Sequence, residues 1–220
     1  APGALVARAA GVRSVSATVA FALAIVSGAW VVVFSTHADI TLALWLLAVV
    51  AIVALALGPR RFRVVRPGAR AAVALLGIVL GGLLWRSAGV VSGDGLFHLA
   101  RVRKLVELGD LHLRTVDEFR DGGLHPGYAF PLWHGFVALV ARVSGLDPGV
   151  VVNHEAALLA PIACAVAWES GLALFGSAAA GLSVLAAQLG IFVFAAGHGG
   201  SWGVMKGNFE TALKVGKPVA

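Results

Sequence analysis

The chain has 220 residues, of which 59% are hydrophobic and 13% charged, with a mean hydropathy of +0.91. Soluble domains run at roughly 45–50% apolar and 25% charged, so a water-soluble globule and a disordered chain are both excluded, and the single cysteine, Cys164, excludes a disulfide scaffold. The net charge of +6 and formal pI of about 10.4 come without a basic face interleaved with aromatics, which points to membrane orientation and not to nucleic acid. The expected fold class is all-α: a polytopic transmembrane helix bundle.

The chain begins at Ala1 without a methionine and ends just after a span, which reads as an N-terminal fragment. Its first apolar run has no small-residue cleavage site leading into a polar domain, so it reads as a retained helix and not as a leader. A bilayer core of about 30 Å needs about 20 apolar residues at 1.5 Å rise. Spans are predicted over about 15–35 and 40–58, joined by the turn Thr36-His37-Ala38-Asp39. The loop from Pro59 to Arg70 carries five arginines and no acid, which makes it cytoplasmic by the positive-inside rule. The N-terminus, with Arg8 and Arg13, is then inside too, and the protein is expected to be multi-pass in the plasma (inner) membrane.

A third span is predicted over 71–88. Its uncharged run, Ala71 to Trp85, is only fifteen residues long, so it extends past Arg86 or lets both flanking arginines snorkel. Gly77 and Gly81 form a small-xxx-small pair that favours close helix packing. The chain emerges on the outer face, where segment 86–128 holds six basic and six acidic residues and shows no inside bias.

The outer loop, 89–150, holds the chemistry. A surface helix is predicted over 94–108: Leu99, Val102 and Val106 repeat at i, i+3, i+7, and Asp94, His98 and Arg101 occupy an adjacent stripe at i, i+4, i+7. Arg103 and Glu107 are spaced to pair along its outward side. Asp94, between Gly93 and Gly95, reads either as a helix N-cap or as a carboxylate at the mouth of a cavity, able to act as general base or to hold a metal. Gly122-Gly123 and Pro126-Gly127 mark turns that bring His125 and the only tyrosine, Tyr128, to the entrance of an apolar helix at 130–143. Tyr128 and Trp133 also suit interface anchoring. His98, His125 and His134 match no zinc-ligand spacing.

The helix at 130–143, with His134 and Arg142 in about fourteen residues, is expected to be interfacial or re-entrant and not a crossing. The span at 151–174 then starts outside, the turn Phe175-Gly176-Ser177 lies inside, and the span at 178–196 returns His198 to the outer face; a crossing at 130–143 would reverse the last two. Glu169 and Gln188 sit within these spans and need a polar partner or a wet cavity. Residues 203–220 hold three of the four lysines and the only methionine, and read as an atypical tail, a truncation artefact or frame change.

This order of a span, an early Asp in an outer loop, an amphipathic surface helix, a Pro-containing turn and a short apolar helix resembles the GT-C superfamily of polytopic glycosyltransferases. The stretch Asp94-Gly95-Leu96-Phe97-His98-Leu99-Ala100-Arg101 is similar in layout to the first-loop motif of oligosaccharyltransferase catalytic subunits, protein mannosyltransferases and lipid-linked aminoarabinose transferases. The resemblance covers about 71–200. It implies an inverting cell-envelope transferase that moves a sugar from a polyprenyl-phosphate donor to a glycan or protein acceptor. Asp94 would be its catalytic base or the carboxylate under a divalent cation (Mg or Mn). His98, Arg101, His125, Tyr128 and His198 are the candidate substrate-binding residues, with Arg101 on phosphate. The family usually places its loop after the first span, whereas two extra spans precede it here. Where many members carry a second acidic motif, this chain has Gly197-His198-Gly199-Gly200. Two other classes compete: a transporter or flippase segment, suggested by His154, Glu155 and Glu169 within one span, and a noncatalytic assembly subunit whose outer loop docks a partner.

Overall fold

A computed structural model describes residues 2–12, 14–58, 68–91, 93–112 and 131–197. Among these, all regular structure is helical: α1 (Pro2–Ala9), α2 (Val15–Thr36), α3 (Thr41–Leu57), α4 (Ala69–Ser87), α5 (Asp94–Leu108), α6 (Leu132–Ser144), α7 (Pro148–Phe175) and α8 (Ala178–Gly197). Three of them, α2, α4 and α7, are long and apolar enough to cross a membrane. α3 has 17 residues and a length of about 25 Å, short of a bilayer core, and α6 is shorter still at 13. The expected loop 59–67, the segment 113–130 and the tail from 198 lie outside the described residues.

Local chemistry explains the helix ends. Gly109 and Gly145 follow α5 and α6 in the left-handed conformation, at φ +67° and +68°, where a side chain would be strained. Pro148 opens α7 with no N–H to lose, and the Asp147 carboxylate accepts the Gly149 N–H at 2.7 Å. α1 was not legible in the pattern: it is eight residues long and lies against α3.

The chain divides into two compact units. The first contains the described residues within 1–13, 17–61 and 91–152. Its core joins Trp30 and Val33 of α2, Ile40 and Ala43 at the start of α3, Val102 and Leu105 of α5, Leu111, and Val137 to Ala141 of α6. Gly135 leaves room for the Trp30 ring, which a Cβ there would approach to 3.1 Å. α5 and α6 run side by side in the same direction: His98 meets His134 near their beginnings, and the Arg142 guanidinium donates to the Val106 carbonyl at 2.8 and 3.0 Å near their ends. The chain then returns to the middle of α5, where Arg103, expected to pair with Glu107, sits 3.5 Å from Asp147.

The second unit contains the described residues within 14–16, 62–90 and 153–197. Here α4 and α7 run antiparallel along the whole of α4. Arg70 lies 5.8 Å from the Trp168 ring centre, Gly77 faces Pro161 and Cys164, Gly81 faces Ala157, the Trp85 ring lies 4.0 Å from that of His154 at a tilt of 38°, and Asn153 donates to the Gly89 carbonyl. The small-xxx-small pair is therefore a packing device: a Cβ on Gly77 would come within 2.6 Å of the Pro161 Cα, and one on Gly81 within 2.6 Å of the Ala157 oxygen. α8 folds back on α7 through Gly171 and Gly181.

Candidate functional site

The start of α5 is set by Gly93, whose φ of +57° and ψ of −131° suit glycine and put it at the N-cap. Asp94 is thus the first helical residue and not the cap, in the turn where free N–H groups favour a carboxylate; its own side chain lies outside the described part. His98 follows one turn later and Arg101 one turn after that, so the expected helical register exists; of the described side chains on it, His98 is half-buried and Arg101 faces inward. Arg101 is only 4% exposed, next to Leu99, Val102 and Leu105 in the buried face of the helix. The apolar stripe predicted from Leu99, Val102 and Val106 is rotated toward Arg101 and Leu105, because α6 packs against that side.

α6 supplies a residue that sequence reasoning had set aside. His134 Nε2 lies 2.9 Å from His98 Nδ1, a ring-to-ring hydrogen bond, with the two rings roughly parallel at 21° and Phe97 edge-on to His98. Burial, then the Arg101 charge, then His98 hold His134 down to about 4, so its ring is neutral at physiological pH. No sequence signal could have paired them. The offset of 36 between His98 and His134 depends on the path of the intervening segment, and the same offset recurs in the contact of Val106 with Arg142.

At the other end of α5 a second polar cluster ties the helix to the turn between α2 and α3. Ile40 N–H donates to the Gly109 carbonyl at 2.7 Å, and Arg142 reaches Asp39 at 2.7 Å. His112 stacks at 4.0 Å on both Phe34 and His37 and sits 3.1 Å from Asp110. Burial pushes the Asp39 carboxyl up, but the Thr41 hydroxyl and N–H and the Arg142 guanidinium outweigh it and leave the group below its ordinary value. At Asp110 burial is likewise overcome by the His112 N–H and ring and by the charges of His112 and His37. This cluster anchors α5 and α6 and adds nothing to the chemistry at the helix start.

The structure therefore brings His98, Arg101 and His134 together at the helix that Asp94 opens, whereas His125, Tyr128 and His198 lie outside the described residues. His98, Arg101 and His134 by themselves do not make a cradle for a divalent cation, and the Asp94 carboxylate expected to hold one lies outside the described side chains. Among the described residues there is no cluster of three metal-ligating side chains, the two imidazoles bond to each other, and a buried guanidinium opposes a second positive charge.

Two of the intramembrane polar groups, Glu169 and His154, have structural partners. Glu169 accepts from the Val15 and Ser16 N–H groups at 2.9 and 2.8 Å and from the Ser16 hydroxyl, capping the first turn of α2, and His154 lies on Trp85. Gln188 borders an apolar cavity of about 210 Å3 lined by Leu80, Leu84, Ala160, Cys164 and Leu185. Comparison of the chain with family models, curated proteins and solved structures finds no match to any of them.

Proposed function

We propose that the chain is a polytopic membrane glycosyltransferase of the GT-C kind, taking a sugar from a polyprenyl-phosphate donor at the outer membrane surface. One observation carries the reading: a buried arginine and a histidine pair meet on the helix that begins with Asp94. Sugar transfer from a phosphate needs both signs of charge. Asp94 takes the proton of the acceptor hydroxyl, the acceptor oxygen bonds to the anomeric carbon from the far side, and the bond from that carbon to the phosphate oxygen breaks. Arg101, a permanent planar cation, forks two oxygens of the departing phosphate.

The direction of the helices supports a site on one membrane face. α4 and α7 are antiparallel, so the segment between Gly89 and Asn153 leaves and rejoins the second unit at the same end. An even number of crossings must lie between them. α6 is the one apolar helix described in that stretch, which favours α6 lying along the interface beside α5. With the arginine loop 59–70 inside, α5 and α6 are outside. Of the three residues that suggest a transporter, Glu169 and His154 serve capping and packing, which favours the transferase reading.

The test is transfer by the chain in proteoliposomes carrying radiolabelled polyprenyl-phosphate hexose or pentose donors. Asp94→Asn is expected to lower transfer by about 10²–10⁴-fold, the usual share of a positioned general base, with membrane insertion retained. Full activity of the variant, or no transfer by the wild type from any such donor, overturns the proposal.

A further inference from the structure

We propose that His98 and His134 form a two-ring proton relay, which carries the acceptor's proton away from the start of α5 and across to α6. The relay rests on the glycosyltransferase reading for the origin of its proton, but its existence can be tested apart from it. The geometry is the 2.9 Å contact between His98 Nδ1 and His134 Nε2, in a half-buried position beside the buried Arg101.

Two neutral imidazoles joined in this way share one proton in the bond and carry one more on an outer nitrogen, either His98 Nε2 or His134 Nδ1. A proton added at His98 Nε2 lets the shared proton move onto His134 Nε2, after which His134 Nδ1 releases its own. One proton has entered and one has left, and both rings have exchanged tautomer; proton exchange with water must restore the starting tautomers before the next transit. The groups acting on His134 are Arg101 and His98, both cationic when charged, so a proton is not retained there. In the glycosyltransferase reading the proton comes from Asp94, one helical turn before His98 in the chain, which must shed its proton before each new turnover. Two positive charges cannot accumulate next to Arg101, so the pair passes protons singly.

The first experiment needs no substrate. Histidine nitrogen-15 NMR of the wild-type chain in nanodiscs is expected to show a scalar coupling between His98 Nδ1 and His134 Nε2, with both rings at shifts averaged between their tautomers. Two uncoupled rings in fixed tautomers overturn the relay. The second is kinetic. His98→Asn and His134→Asn are each expected to lower kcat by about 10²-fold, the low end for a positioned proton-transfer group, with KM kept and with the double variant no worse than either single one. Additive losses, or a pH profile unchanged from wild type, overturn the relay even where Asp94→Asn still abolishes transfer. A coupled pair in a chain that transfers no sugar overturns the glycosyltransferase reading alone.

Discussion

At the scale of single residues, a neutral imidazole held beside a buried guanidinium makes stability depend on acid. His134 is held at about 4 in the folded chain against 6.5 when exposed. Between those values the unfolded chain binds a proton that the folded chain refuses, so stability is complete above about pH 6.5 and falls as the pH drops toward about 4. Asp39 and Asp110, whose carboxyls are lowered, add a further loss at still lower pH, where they must be protonated. Thermal unfolding in nanodiscs is expected to show a decline in Tm from pH 7 to about 4.5 that is reduced in His134→Asn, and equal slopes in the two proteins would count against the buried neutral ring. The stripe of Asp94, His98 and Arg101 was legible because three polar residues at helical spacing in an apolar chain are conspicuous. His134 was not, since its contact with His98 is tertiary and depends on α6 settling parallel to α5.

At the scale of elements, glycine and proline set the fit of α4 on α7. Pro161 has no N–H, so the Ala157 carbonyl one turn earlier loses its helical donor. Gly81 lies against that carbonyl, and the missing side chain leaves the room that the Ala157 oxygen occupies. Gly81→Ala puts a methyl 2.6 Å from backbone oxygen, and Gly77→Ala puts one 2.6 Å from the Pro161 Cα, so neither clash can be relieved by a rotamer change. Each is expected to cost about 1–3 kcal/mol, read as a lower Tm, whereas Gly82→Ala, with open space at its Cβ, is expected to leave Tm within about 2 °C. The element positions were largely legible, from apolar run length for α2, α4 and α8 and from the amphipathic stripes for α5, all of which begin and end within two residues of the prediction, and α7 opens three residues early at Pro148. The rotation of α5 was not legible, because the sequence offers two overlapping stripes and only the packing of α6 selects the one containing Arg101 and Leu105.

At the scale of the molecule, the second unit contains evidence on direction. Glu169, late in α7, caps the first turn of α2, so these two ends lie at one level of the second unit. If the arginine loop is cytoplasmic, the turn at Gly176 and Ser177 shares its side. In a Cys164→Ser background, Ser177→Cys and Ala69→Cys are expected to react with an impermeant maleimide from the same side of the membrane, and Gly89→Cys from the other. Labelling of residues 89 and 177 from one side would remove the interfacial assignment of α6 and the outer location of His98 and Arg101 with it.

The meeting of Gly89 and Asn153 has a consequence for how such a protein can change. Because the stretches of chain entering and leaving segment 90–152 are already held together by α4 and α7, that segment can grow or shrink at its turns without inverting any helix that follows. Changes in length between these two positions would then leave the direction of α7 and α8 as it is.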